Sequence, residues 1–158
     1  MIIDAHTHRY PPEAFADPVA FATPKQESHW LGLVNPEDGP NLQGWADGEK
    51  MLEDMQVAKV DRCALLAWYW ENPETCKWHN DWNARWMREE PDRFFAFAAV
   101  HPQLEDPVGE LQKRHEEGFS GIGECHPWAQ GFSMRDPTWL ACMEFAQDKG
   151  WPVNFHVT

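Results

Sequence analysis

The sequence predicts a parallel α/β fold, and three observations carry the prediction. Short apolar runs alternate with helical stretches in the order β-α-β-α-β-α-β-α-β. The runs are apolar throughout rather than on alternate residues, as in strands covered on both faces. Two of the helical stretches share one punctuation, Asp-Pro at the start and Gly at the end.

The first run starts at Met1, and Ile2-Ile3-Asp4-Ala5 reads as a buried strand ending in His6 and His8. From Arg9 to about Gly44 follows an irregular stretch dotted with Pro11, Pro12, Pro18, Pro24, Pro36 and Pro40, in which short helical turns are expected but no sustained period. Loops of this length in compact domains are usually functional or disordered. A helix is expected from about Asp47 to Lys59, where Met51, Leu52, Met55 and Ala58 form an apolar stripe. Asp61 to Ala67 reads as a buried strand, Pro73 to Glu90 as a helix stopped by Pro91, and Phe94 to Val100 as a third strand. Asp106 and Pro107 open a helix that Gly118 ends, and Gly121 to Glu124 is a short strand. Asp136 and Pro137 open the last helix, Gly150 stops it, and Trp151 to Val157 reads as a fifth strand.

The 158 residues suffice for one domain with a sizeable core. A formal net charge of -13 argues against nucleic acid or an anionic membrane as partner, since both require a basic patch. It leaves a small-molecule substrate open. With no basic segment or long apolar stretch near Met1, neither a signal peptide nor a membrane span is expected, and a cytoplasmic location is the default. Cys63, Cys76, Cys125 and Cys142 lack a C-x-x-C pair and read as reduced thiols. Most of the ten tryptophans are expected in the core. Trp68-Tyr69-Trp70, which follows an apolar run, and Trp128 are placed near a ligand, whereas Trp78, Trp82 and Trp86 recur at helical spacing and face the scaffold.

Alternate side chains of a strand share a face, so His6 and His8 aim two imidazoles at one point, with Asp4 on the same face. That geometry suits a divalent metal such as zinc. A dinucleotide-binding sheet would need a glycine-rich loop after the first strand, and a histidine pair stands there instead. A (β/α)8 barrel is therefore preferred, but only about five strands fit, where a full barrel needs eight and typically about 250 residues. Active sites of such barrels lie at the carboxyl ends of the strands. Those ends carry His6 and His8, His101, Glu124 with His126 two positions on, and His156. His29, His79 and His115 fall in loops or helices and read as surface residues. Arg9 could anchor a substrate carboxylate or be a surface arginine, and a thiol enzyme using Cys125 beside His126 is a further reading.

Met1-Ile2-Ile3-Asp4-Ala5-His6-Thr7-His8, Gly121-Ile122-Gly123-Glu124-Cys125-His126-Pro127 and Pro152-Val153-Asn154-Phe155-His156 together resemble the amidohydrolase superfamily. The closest branch is the amidohydrolase-2 group, which includes the aminocarboxymuconate-semialdehyde decarboxylase-like enzymes. The resemblance implies the N-terminal part of a metal-dependent (β/α)8 barrel over residues 1–158, with a long first βα loop at about 9–44. It also implies a divalent metal, commonly zinc, on His6, His8 and His156. Many relatives bridge two metals with a carbamylated lysine on the fourth strand. No lysine lies between Phe119 and Trp128; Glu124 stands there, as a glutamate does in the TatD-like nuclease branch, either as a metal ligand or as a structural group at the strand end. Glu124 and His126 are also candidate catalytic groups. The family's sixth-strand histidine and catalytic eighth-strand aspartate would lie beyond Thr158.

The function so implied is hydrolysis of a C–N or C–O bond of a small molecule by metal-activated water. The alternatives are non-oxidative decarboxylation of an unsaturated carboxylic acid on the same site, and an inactive truncated barrel serving as a binding module. Exposed edges on the first and fifth strands would favour self-association into a homo-oligomer.

Overall fold

A computed structural model describes residues 1–40 and 47–157. Its strands are β1 (Ile3–Thr7), β2 (Arg62–Leu66), β3 (Phe94–Phe97), β4 (Ile122–Cys125) and β5 (Val153–Phe155). Three short helices, α1 (Pro12–Ala16), α2 (Pro18–Lys25) and α3 (Ser28–Val34), follow β1. α4 (Gly48–Val57), α5 (Pro73–Glu89), α6 (Pro107–Glu116) and α7 (Pro137–Lys149) then connect successive strands. The chain carries five parallel strands of a partial (β/α)8 barrel.

Neighbouring strands pair in sequence order. β1, β2 and β3 form one parallel ladder and β4 with β5 another. A parallel bridge between Ala98 and Ile122 joins the two ladders. Gly123 permits the close approach of β4 to β5, since a Cβ there would come within 2.8 Å of the Asn154 Cβ.

The Asp106-Pro107 and Asp136-Pro137 openings act as expected, and Asp47 and Asn72 cap in the same way. Asp47, Asn72, Asp106 and Asp136 each accept a hydrogen bond from a backbone N–H of the following first turn. Pro73, Pro107 and Pro137 occupy first-turn positions where no intrahelical N–H is needed. Gly150 closes α7 at φ +65°, the left-handed conformation that glycine adopts without penalty.

Two apolar clusters stabilise these elements. One lies between sheet and helices, built from residues such as Leu65, Trp86, Leu111, Ile122 and Trp139. The other is an aromatic cap in which Tyr10, just before α1, joins Ala14 of α1, Phe21 of α2 and Trp30 of α3 against Trp68, Tyr69 and Trp70, which follow β2. The stretch expected to be irregular is thus largely helical, because Asp17 caps α2 and the cap buries enough apolar surface to order short helices. Its end, residues 41–44, lies outside the described residues. A second correction concerns β1, which is exposed rather than buried, with Ile3 at 48%. Among the described residues β1 pairs only with β2 and so forms the edge of the sheet.

The cap is tied down by a reciprocal clasp. The buried Glu27 carboxylate accepts from the backbone N–H groups of Glu71 (2.8 Å) and Asn72 (3.1 Å). The Glu71 carboxylate accepts in turn from the Ser28 hydroxyl (3.0 Å) and the His29 N–H (2.7 Å). Burial pushes the Glu27 carboxyl up from 4.5 to about 7, against the opposing effect of the hydrogen bonds it accepts. The folded state therefore holds a proton there that the unfolded chain releases near pH 4.5. Stability from this group is full below about 4.5 and is lost as pH rises through about 7, an effect of about 3 kcal/mol by linkage. Urea unfolding between pH 4 and 8 should show this fall, and Glu27→Gln should flatten it; an equally steep fall in the variant would assign it elsewhere.

Candidate metal centre

β1 and β4 bring the candidate ligands together. The register of β1 against β2 shifts between Asp4 and Thr7, and the Thr7 hydroxyl donates to the Ala64 carbonyl at 2.8 Å, anchoring the strand end that carries the histidines. The Nδ1 of His8 lies 3.0 Å from the Leu66 carbonyl oxygen. A carbonyl only accepts, so Nδ1 carries the proton and Nε2 presents a lone pair. The expected tautomer-setting role of Asp4 is thus filled by a backbone carbonyl, while Asp4 accepts from the His6 backbone N–H at 3.2 Å.

The Nε2 of His8 faces the Nε2 of His6 at 3.1 Å and the Oε2 of Glu124 at 3.3 Å; Glu124 Oε2 lies 3.7 Å from His6 Nε2. All three atoms lie within 4.8 Å of one another. Glu124 is 3% exposed, and its Oε2 has no hydrogen-bond partner among the described residues. Its other oxygen, Oε1, accepts from His156 Nδ1 at 2.7 Å, a length typical of a charge-assisted bond. That bond leaves the His156 Nε2 as the ring's lone-pair donor.

The electrostatics follow from this packing. Burial alone would raise the Glu124 carboxyl, but a His8 ring carrying its second proton on Nε2, together with the His156 N–H, outweighs it and holds the group below its usual range; the lone-pair form of His8 is the one a cation would take. Burial, then the neighbouring His8, push His6 below the ordinary histidine value, which keeps its lone pair available at neutral pH. A single proton between His6 and His8 would leave Glu124 Oε2 unsatisfied. A divalent cation would accept electron pairs from all three atoms, so the donor set fits a metal.

Other residues singled out in the sequence take varied places. Trp68 sets its edge against the His8 ring at 5.1 Å. The His126 ring stacks on His156 at 5.1 Å, and the exposed Trp128 lies 6.0 Å from His126. Trp70 instead belongs to the aromatic cap, fully buried, its indole N–H donating to His79 at 2.9 Å. His101 is buried with Nε2 2.9 Å from the Gln130 carbonyl and Nδ1 accepting from the Gln103 N–H, so both ring nitrogens are used within the fold. Arg9 lays its guanidinium over the Trp86 ring at 4.3 Å, on the side of α5, rather than beside the histidine pair. Cys125 is fully buried and burial pushes its thiol up, the opposite of an activated thiolate. All four cysteines are free and buried.

Of the histidines read as surface residues, His115 is half-buried against Trp151. His79 is fully buried because its nitrogens join Trp68, Trp70 and the Arg9 carbonyl. His29 is half-buried, with its ring 5.8 Å from His126. Tyr69, the middle residue of the Trp68-Tyr69-Trp70 run expected near a ligand, has its ring 4.9 Å from His156 and 5.0 Å from His126. Position next to Trp68 at the end of an apolar run was the available signal for Tyr69; for His29, which arrives on α3, there was none.

Solved structures share this fold. A 5-carboxyvanillate decarboxylase from Novosphingobium aromaticivorans, solved with bound manganese, matches with a TM-score of 0.73 at 20% identity, over 99% of this chain and 50% of that one. A 4-oxalomesaconate hydratase from Rhodopseudomonas palustris matches with a TM-score of 0.65 at 21% identity, over 99% and 52%. A probable 2-pyrone-4,6-dicarboxylic acid hydrolase from Acinetobacter baumannii, with citric acid bound, matches with a TM-score of 0.62 at 15% identity, over 99% and 49%. The chain spans about half the length of these structures. No curated protein matches it. Among the described residues no helix is long and apolar enough to cross a membrane. The amidohydrolase family model matches residues 3–158, so the chain belongs to the amidohydrolase family.

Proposed function

We propose that this chain is the N-terminal part of one amidohydrolase-type barrel, residues 1–158, and carries the larger share of a metal site acting on a small carboxylic acid. His6, His8 and Glu124 hold a divalent cation, zinc or manganese, and His156 orients Glu124 while keeping its own Nε2 available as a further ligand. The observation that carries this reading is the buried Oε2 of Glu124, without a hydrogen-bond partner among the described residues, facing the Nε2 atoms of His6 and His8. Bound there, a cation would polarise a carbonyl and lower the pKa of water. Hydrolysis of a C–N or C–O bond is the first reaction expected. Decarboxylation of an unsaturated acid is the second, favoured by similarity to a decarboxylase with bound manganese.

The chain's own residues do the positioning. The Leu66 carbonyl fixes the His8 ring, the His156 N–H fixes Glu124, and Trp68 shields the His8 side of the site from water. Glu124 supplies one negative charge against the two positive charges of the cation, leaving a net positive site that suits an anionic substrate. A binding or assembly module is the alternative, favoured by the exposed edge of β1.

Calorimetric titration of chelator-treated protein with zinc or manganese is expected to give one site per chain. At a metal concentration about a hundredfold above Kd the folded state should gain about 2.7 kcal/mol, seen as a rise in Tm that a chelator reverses. Absence of saturable binding would overturn the metal reading; absence of binding together with self-association would favour the module.

A further inference from the structure

The backbone segments that hold the candidate metal ligands converge on one side chain outside the metal group. His79 is fully buried in α5, and both of its ring nitrogens are engaged. Its Nε2 lies 2.8 Å from the Arg9 carbonyl oxygen, and its Nδ1 lies 2.9 Å from the Trp70 indole Nε1 and 3.3 Å from the Trp68 backbone N. A carbonyl only accepts and the two N–H groups only donate, so the ring is neutral with its proton on Nε2. Burial, set against the bond to the Arg9 carbonyl, holds the imidazole down at about 3, and this tautomer therefore persists across ordinary pH.

Each of the three bonds ends on a segment that carries or fixes a metal donor. Arg9 directly follows His8, so the His79 N–H pins the backbone where the chain leaves the histidine pair. Trp68 and Trp70 lie just past β2, in the stretch that starts at Leu66. There the Leu66 carbonyl meets the His8 ring at 3.0 Å, and the Ala67 carbonyl accepts from the Glu124 backbone N–H at 2.7 Å. Trp68 in turn sets its edge against His8. One imidazole thus joins the exits of β1 and β2, and the exit of β2 holds both His8 and Glu124. The helix that carries it is placed by other contacts. Asn80, the next residue, donates to the Ala99 carbonyl at 2.8 Å and accepts from the Ala99 N–H at 2.9 Å, which sets α5 against the sheet independently of His79.

We propose that His79 is a positioning residue of the metal centre: through its bonds to Arg9, Trp68 and Trp70 it fixes the exits of β1 and β2 in the arrangement that presents His8 and Glu124 to one cation. This role rests on the metal reading. His79 touches neither the cation nor a substrate and acts only through the backbone it holds. Groups that orient metal ligands from behind govern metal affinity by about 10–100-fold, because a ligand free to turn away must be reordered on binding. The coupling is reciprocal: bonds of His79 that favour the cation are themselves favoured by the bound cation.

The test compares calorimetric zinc titrations of the wild type, His79→Phe and His79→Gln, each shown to be folded by circular dichroism and held well below its Tm. Phenylalanine keeps a buried ring and loses all three bonds, whereas glutamine keeps one donor and one acceptor. His79→Phe is expected to bind zinc at least about tenfold more weakly than the wild type, and His79→Gln to return within about threefold of it. A folded His79→Phe that binds zinc within about threefold of the wild type, or a glutamine variant as weak as the phenylalanine one, would reduce His79 to packing and overturn the proposal. A second measurement needs no substitution and decides the matter if His79→Phe does not fold. In isotope-labelled wild type, solvent exchange of the His79 Nε2–H should slow about tenfold more on zinc binding than that of the Arg114 Nε–H, which is bonded to Glu110 between α5 and α6. Equal slowing at the two positions would overturn the proposal, since the cation would then act on global unfolding alone. Failure of the wild-type chain to bind zinc would overturn the metal reading, and this role of His79 with it.

Discussion

Glu124→Gln is expected to lower affinity for zinc or manganese by roughly a hundredfold or more, at no cost to the stability of the metal-free protein. The two effects separate because Glu124 makes two kinds of contact. Its Oε1 accepts from His156, and a glutamine carbonyl oxygen can take over that bond. Its Oε2 is buried and, among the described residues, without a hydrogen-bond partner, facing His8 Nε2. An amide NH2 in that place would donate to His8 Nε2, so the metal-free variant should gain about 1 kcal/mol while losing a ligand oxygen and a negative charge. Calorimetric metal titration and urea unfolding of the metal-free form read the two effects independently. A variant destabilised without metal, or one that binds metal as well as the wild type does, would show Glu124 to be a structural group of the strand end.

Arg114→Ala should be the most destabilising single change, by about 3–5 kcal/mol in urea unfolding. The Arg114 side chain is fully buried. Its guanidinium meets Glu110 at 2.6 Å, Asp81 at 2.8 Å and Glu117 at 2.8 Å. Glu110 is itself buried and bound by Asn80, whose amide donates to Glu110 (2.9 Å) and the Ala99 carbonyl (2.8 Å) and accepts from the Ala99 N–H (2.9 Å). Removing the arginine leaves the Glu110 carboxylate buried without its cation, and the disturbance reaches the backbone just past β3. Arg114→Met should cost nearly as much, since volume is not what is lost. Adding Glu110→Gln to it should recover a measurable part, because the uncompensated charge is then gone. Additive losses in the double variant would show that the pair acts through packing alone.

Most of the architecture was legible in the chain because its signals are local. Asp-Pro openings, the glycine stop at Gly150 and uniformly apolar runs mark helices and strands through backbone sterics and hydrogen bonding within a few residues. The metal candidates were legible for a related reason: His6 and His8 share a strand face, and Glu124 and His156 end strands of a parallel sheet whose functional edge follows from the fold class. The three helices after β1 were less so, because each is too short to show a period and is stabilised by packing in the aromatic cap.

Sequence by itself thus determined the element order and the parallel α/β class, and it put forward His6, His8, His156 and Glu124 as metal candidates, since strand faces and strand ends depend on spacing along the chain. Tertiary structure alone decided how side chains from distant segments divide their hydrogen-bonding capacity. It turned His79, His101 and Trp70 inward, laid Arg9 over Trp86, and gave His156 to Glu124 through Nδ1. It also brought His29 and Tyr69 beside His126 and His156, at the rim of the candidate metal group. Those outcomes depend on which buried donor finds which acceptor, a matter of three-dimensional proximity that no periodicity records.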